Sequence, residues 1–297
     1  MALPAPSPAV RVVFRLAALF TFLSVLMGAV VCATESGFDC PSWPGCYPGR
    51  ITPIGDINPW IEFTHRTVAI LTGPILLAAA ILGQRSPAVP GWVKRAQWLA
   101  LAGGAAAAVF GMLIVLRGIP TWLGVVDLAA ALTAMIATGI AAVAVTVLAP
   151  ARRRAGLPAW GAVGVLLAYH LSGIVVAGPA SLTRCLSWPV WTLVELDGAA
   201  APQVLRLGLA GVAALLVALT GVRALRQPSL RGWGMAALAL LTAVLAAGFL
   251  IGESGLPAED RYEGAGLAVA AVYAGLSVTL LRVAVEISIR ETWRPVR

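Results

Sequence analysis

Thr121-Trp-Leu-Gly-Val-Val-Asp-Leu-Ala-Ala-Ala-Leu-Thr-Ala-Met-Ile-Ala-Thr-Gly-Ile-Ala-Ala-Val-Ala-Val-Thr-Val147 carries a single ionisable side chain, Asp127. About 20 apolar residues in a helix cross the hydrocarbon of a bilayer. The apolar residues run on without the polar alternation that a barrel strand requires, so the stretch reads as a membrane helix. Seven further stretches read the same way, at 12–33, 63–83, 97–116, 158–178, 203–223, 232–252 and 265–286. The fold class follows: an all-α membrane protein with eight transmembrane helices. Composition agrees, with 60% hydrophobic and 11% charged residues and a mean hydropathy of +0.90. Soluble domains carry about 25% charged residues.

The net charge of +8 is not that of a nucleic-acid binder, because the basic residues form no stripe. Most of the 21 lie in alternate short connections and at the two ends: Arg11, Arg15, Arg85, Lys94, Arg95, Arg152, Arg153, Arg154, Arg223, Arg226, Arg231, Arg282, Arg290, Arg294 and Arg297. Under the positive-inside rule both termini are cytoplasmic, in a bacterial-type cell membrane, and the acid-rich loops face outward. Val31-Cys32-Ala33 has the look of a signal-peptide cleavage site. However, the first span has a counterpart in mid-chain, which argues that it is retained.

That counterpart is found by shifting the sequence 145 residues. Val25–Pro44 then aligns without a gap on His170–Pro189, matching Gly28 with Gly173, Cys40 with Cys185, and Ser42-Trp43-Pro44 with Ser187-Trp188-Pro189. Shared apolar positions would mean little, but a shared Cys-x-Ser-Trp-Pro in a polar loop is hard to obtain by chance. After a connection about five residues shorter, His65-Arg66 aligns with Leu205-Arg206. Equivalent positions are four spans apart, so the halves have the same orientation: two parallel-repeat four-helix bundles, 1–150 and 151–297. The first holds the outer cysteine loop and His65. The second is a degenerate copy that lacks the histidine.

Four groups of residues could carry chemistry. Cys40 and Cys46 lie in the first outer loop, where they can form a disulfide or remain two thiols. Cys185 has no such local partner, since Trp191 stands at the position equivalent to Cys46, and Cys32 reads as a small packing residue. In Trp60-Ile-Glu-Phe-Thr-His-Arg66, the spacing places Glu62, His65 and Arg66 on one helix face. A neutral imidazole there is a competent iron ligand with a carboxylate to orient it; the alternative is a Glu62–Arg66 ion pair beside an uninvolved histidine. Asp127 lies about one and a half turns inside its span, and the cost of burying it predicts a partner, with His65 and Arg66 the leading candidates. His170, in mid-span, aligns with Val25 and reads as a packing histidine hydrogen-bonded to a neighbouring helix.

Eight spans, duplicated halves, Cys40-Pro-Ser-Trp-Pro-Gly-Cys46 and Glu62-Phe-Thr-His65-Arg66 together resemble the heme A synthase family, the CtaA type. The specific motifs fall within 25–70 and, weakly, 170–206. The resemblance implies oxidation of a methyl group of heme O to a formyl group during cytochrome oxidase biogenesis. It implies that His65 serves the iron of the substrate heme, that Glu62 is catalytic, and that Cys40 and Cys46 form a disulfide. Arg66 or Arg117 would meet propionates, and Asp127 would orient the substrate or carry protons. Partners implied are the heme substrate, the lipid bilayer, and a heme O synthase or oxidase assembly factors. The chain departs from the family pattern where Asp127 replaces a span-4 histidine and Leu205 a span-6 histidine, and where span 8 has none. A permanent bis-histidine heme b in the second half is therefore not expected. Two other readings remain open: a non-catalytic heme-binding or oxidase-assembly relative, and a small membrane transporter that uses Asp127 as a coupling site.

Overall fold

The computed structural model describes residues 5–118, 120–146, 157–176, 188, 201–254 and 264–292. Eight long helices dominate: α1 (Pro8–Ala33), α2 (Ile57–Arg85), α3 (Gly91–Arg117), α4 (Thr121–Ala144), α5 (Leu157–Val176), α6 (Ala201–Leu225), α7 (Arg231–Glu253) and α8 (Gly264–Thr292). All eight are long and apolar enough to cross a membrane, and the chain is a multi-pass membrane protein.

The helices outrun their apolar spans. α2 starts at Ile57 rather than 63, α3 at Gly91 rather than 97, and α8 continues to Thr292 rather than 286. The reason is physical. Hydropathy measures the thickness of hydrocarbon, whereas a helix continues through the headgroup layer wherever capping and side-chain pairs support it. In α1, Pro8 occupies the first turn and Ser7 Oγ accepts from Val10 N at 3.3 Å. In α8, the extra turns carry Glu286 and Arg290, four residues apart and ion-paired.

α1 packs on α2 and α4, and α3 lies against both α2 and α4. Similarly, α5 packs on α6 and α8, and α7 lies against both α6 and α8. The two sets meet where α1 and α4 touch α8 and where α4 touches α5. One continuous core threads this junction, with Val25 and Ala29 of α1, Leu132 and Met135 of α4, Leu166 of α5 and Leu281 of α8.

Close approach of helix backbones requires small residues at the seams. A Cβ on Gly103 of α3 would sit 2.8 Å from the Ala130 carbonyl oxygen of α4, so only glycine fits there. Hydroxyl pairs stitch other seams. Thr21 of α1 meets Thr138 of α4 at 2.8 Å, and Ser24 of α1 meets Thr72 of α2 at 2.8 Å. Thr72 also bonds to its own helix at Val68 O. The Thr72 contacts lie within a turn of Pro74, which removes one backbone donor from α2. Outward faces remain apolar: Leu71, Val109, Leu215, Leu250 and Val272 are all exposed, as lipid contact demands.

Candidate functional site

At its outer end α2 is fastened to the loop that precedes it. Cys40 and Cys46 form a disulfide with both residues fully buried. Within the loop, Ser42 N donates to Cys46 O at 3.2 Å and Cys46 N to Ile51 O at 3.1 Å. Tyr47 and Arg50 exchange backbone bonds at 3.1 and 3.0 Å. Gly45 is packed so tightly under this turn that a Cβ would lie 2.8 Å from Arg50 O.

Arg66 is the fastener. Its Nε donates to Glu62 Oε1 at 2.7 Å, its Nη2 to Cys40 O at 2.7 Å, and its Nη1 to Gly45 O at 3.0 Å and to Ser42 O. Glu62 is 4% and Arg66 7% exposed. A buried ion pair is tolerated when the remaining donors are also satisfied, and four of the five guanidinium N–H groups find acceptors here. The planar fork of arginine suits this task, since it serves one carboxylate and three carbonyls at once. Of the two arrangements the sequence leaves open for Glu62 and Arg66, the ion pair is the one formed.

His65 occupies the same side of α2, half-buried, and its imidazole lies against α1. A Cβ placed on Gly28 would be 3.2 Å from His65 Nε2 and 3.7 Å from Cε1. Gly28 therefore makes the room that the ring occupies. The sequence had flagged Gly28 through the repeat without supplying this reason for it. The imidazole makes no hydrogen bond among the described residues.

The remaining predicted residues are not gathered around His65 by any bond. Asp127 makes neither an ion pair nor a hydrogen bond among the described residues, which corrects the expectation that it pairs with His65 or Arg66. Arg66 is already committed to Glu62 and the loop carbonyls. Arg117 is exposed in the last turn of α3. No group of three or more histidine, cysteine, aspartate or glutamate side chains converges on a metal position among the described residues.

Two further expectations need correction. Cys32 is not a free packing thiol; it is disulfide-bonded. Its proximity to a second cysteine arises from tertiary structure and has no local sequence signal. His170 of α5 is 1% exposed, yet neither ring nitrogen has a hydrogen-bond partner among the described residues. Instead, its ring packs 5.4 Å from that of Tyr169, over which the Arg206 guanidinium sits at 4.9 Å. Tyr273 of α8 donates to Trp188 O nearby at 2.9 Å. Tyr169 and Arg206 are polar neighbours, but they meet each other rather than the imidazole nitrogens. Cys185 and Trp191 lie outside the described residues.

No protein-family model matches the chain. Four curated proteins do match, each over part of its length. A heme A synthase of Shewanella oneidensis is 34% identical over 94 residues, covering 26% of this chain and 28% of that protein. One from a Methylobacterium species is 31% identical over 135 residues, covering 41% of this chain and 36% of that protein. One from Geobacillus kaustophilus is 33% identical over 63 residues, covering 21% and 20%. The matched stretches thus span about a third or less of the lengths of these relatives. Similarity of this degree, repeated across four heme A synthases and joined to eight membrane-length helices, relates the chain to the heme A synthase family.

Proposed function

We propose that the chain is a heme A synthase-like membrane oxidoreductase that converts a methyl group of heme O to the formyl group of heme A. One observation carries the reading: the similarity to proteins named heme A synthase accompanies an imidazole, His65, that makes no hydrogen bond among the described residues. The conversion replaces two hydrogens of the methyl carbon by an oxygen taken from water and releases four electrons and four protons, the electrons passing to a separate electron acceptor that this chain does not supply. The chain's own part is to bind the porphyrin, orient it and balance charge beside it. His65 takes the iron of the substrate, which requires its ring to turn away from Gly28. Glu62 supplies a fixed negative charge one helical turn from His65 and is itself held by Arg66. Arg117 and Asp127 complete the assignment as propionate partner and proton carrier.

A resident heme held by two histidines in the second half does not fit this chain. Leu205 stands in α6 where a histidine is needed, and α8 contains none. No step is assigned to such a group. The same reading takes the chain as a duplication, 1–150 and 151–297, with both termini cytoplasmic. A disulfide-bonded loop belongs on the opposite, oxidising side.

The purified full chain should show a heme absorption spectrum, oxidised and reduced, that His65→Ala abolishes. Expression in cells lacking their own synthase should restore formyl heme in extracted pigments. A heme-free protein from heme-replete cells, with no restoration, would count decisively against the proposal. The replacement of histidine by Leu205 and Asp127 favours a second reading, a heme-binding or assembly relative without catalysis. That reading is selected if the spectrum is present and formyl heme is absent.

A further inference from the structure

At the end of the bundle opposite the cysteine loop, a cavity of about 450 Å³ opens between α1, α4 and α8. Its polar wall carries Arg15, Arg282, Glu286 and Arg290, and its other wall is apolar, with Leu19, Phe22 and Val143. Glu286 is 3% exposed and is gripped from both sides, by Arg282 Nη1 at 2.8 Å and Arg290 Nε at 2.7 Å. Arg290 is further held over the Trp233 ring at 5.4 Å. The Arg282 guanidinium lies over Gly139 of α4, where a Cβ would stand 3.5 Å from it. Arg282 Nη1, although close to Glu286, is out of line for a hydrogen bond and has no other acceptor. Arg15 forms no ion pair among the described residues.

Three arginines therefore face one carboxylate, and two of them are fixed in place by it. Excess positive charge at the edge of a low-dielectric slab calls for a counter-anion. Arginine forks match phosphate oxygens in geometry and charge. The apolar wall narrows the choice of anion. It includes Leu19 and Phe22 of α1, and Leu19 is also exposed on the apolar outer face of the bundle. A small water-soluble anion would gain nothing from that wall, whereas an amphiphile would use both ends. Basic pockets between membrane helices bind anionic lipid headgroups for this reason.

We propose that this cavity binds an anionic phospholipid, with its phosphodiester on Arg15 and Arg282 and its glycerol and acyl end along Leu19 and Phe22. The walls come from both helix sets, so an occupied site bridges α1 and α4 to α8. Glu286 acts as the positioning residue that keeps Arg282 and Arg290 aimed into the site.

The test uses the purified full chain in neutral detergent, followed by thermal unfolding and native mass spectrometry. Phosphatidylglycerol should raise the unfolding temperature and remain attached as one molecule per chain. Phosphatidylcholine and inorganic phosphate should do neither. Arg15→Gln, an exposed and unpaired position, should fold normally and weaken the phosphatidylglycerol titration about five-fold. Arg15→Gln/Arg282→Gln, which leaves Glu286 paired with Arg290, should remove selective retention altogether. Protection by inorganic phosphate equal to that by phosphatidylglycerol would reassign the cavity to a free anion and overturn the lipid. Equal protection by phosphatidylcholine, or an unchanged titration in the double variant, would overturn the site itself.

Discussion

Removing Arg66 and removing Glu62 should have unequal consequences, although the two form one ion pair. In Arg66→Met, the Glu62 carboxylate is left buried without its cation, and the carbonyls of Cys40, Ser42 and Gly45 lose their donor. Breaking a buried pair by removing one partner costs about 3–5 kcal/mol, and the stranded loop carbonyls keep the loss toward the upper end of that range. In Glu62→Gln, Arg66 retains three carbonyl acceptors and an amide oxygen can still accept from Nε. The expected loss is therefore roughly 1–3 kcal/mol, the cost of a weakened buried hydrogen bond. Combining the two should cost less than the sum, since the amide no longer leaves a buried charge behind. Reversible unfolding in mixed detergent micelles, followed by circular dichroism, gives all three values. Limited proteolysis of the loop would report its release in Arg66→Met. If Arg66→Met loses no more than Glu62→Gln, or if the double variant is additive, the fastener reasoning is wrong.

Gly28→Val should push the His65 ring off α1, because even a single added carbon would lie 3.2 Å from Nε2. An overpacking loss of about 1–3 kcal/mol, measured by the same unfolding assay, is expected together with a changed heme spectrum if heme is bound. Thr138→Val should cost only about 0.6 kcal/mol, typical of an interhelical hydroxyl bond in a membrane protein, because Thr21 keeps its bond to Ala17 O at 2.8 Å; a loss above about 2 kcal/mol would contradict this. All three cysteines among the described residues are disulfide-bonded, and Cys40 and Cys46 pair with each other. Peptide mapping of the unreduced protein should therefore recover Cys32 only in a disulfide-linked peptide, and alkylation of Cys32 without reduction would refute this.

What could be read from the sequence was what sums over many residues or repeats at a fixed local spacing. Each span averages some 20 side chains, so all eight emerge despite Asp127 in one and His170 in another. The i,i+4 spacing of Glu62 and Arg66 correctly made them candidates for an ion pair. Partners set by tertiary approach were not readable. Asp127 was matched to Arg66 by depth alone, and depth says nothing about the three backbone carbonyls that already occupy Arg66. Carbonyl acceptors leave no trace in residue identity. Cys32 fails in the same way. Arg282 and Arg290 read from the sequence only as topology signals, although Glu286 lies four residues from each. Their joint meaning appears once Arg15, more than two hundred residues away in sequence, faces the same cavity.

The direct packing of α1 on α8, seen where Leu26 Cδ1 approaches Gly275, carries a cost in time. More than two hundred residues must be synthesised after α1 leaves the ribosome before α8 exists. At about 5–20 residues per second this is an interval on the order of ten seconds or more. Throughout it, the α1 surface destined for α8 must rest against lipid or an insertion chaperone. Small and apolar residues such as Val25 and Ala29 make that wait harmless in a membrane, where a polar seam would have captured the wrong neighbour.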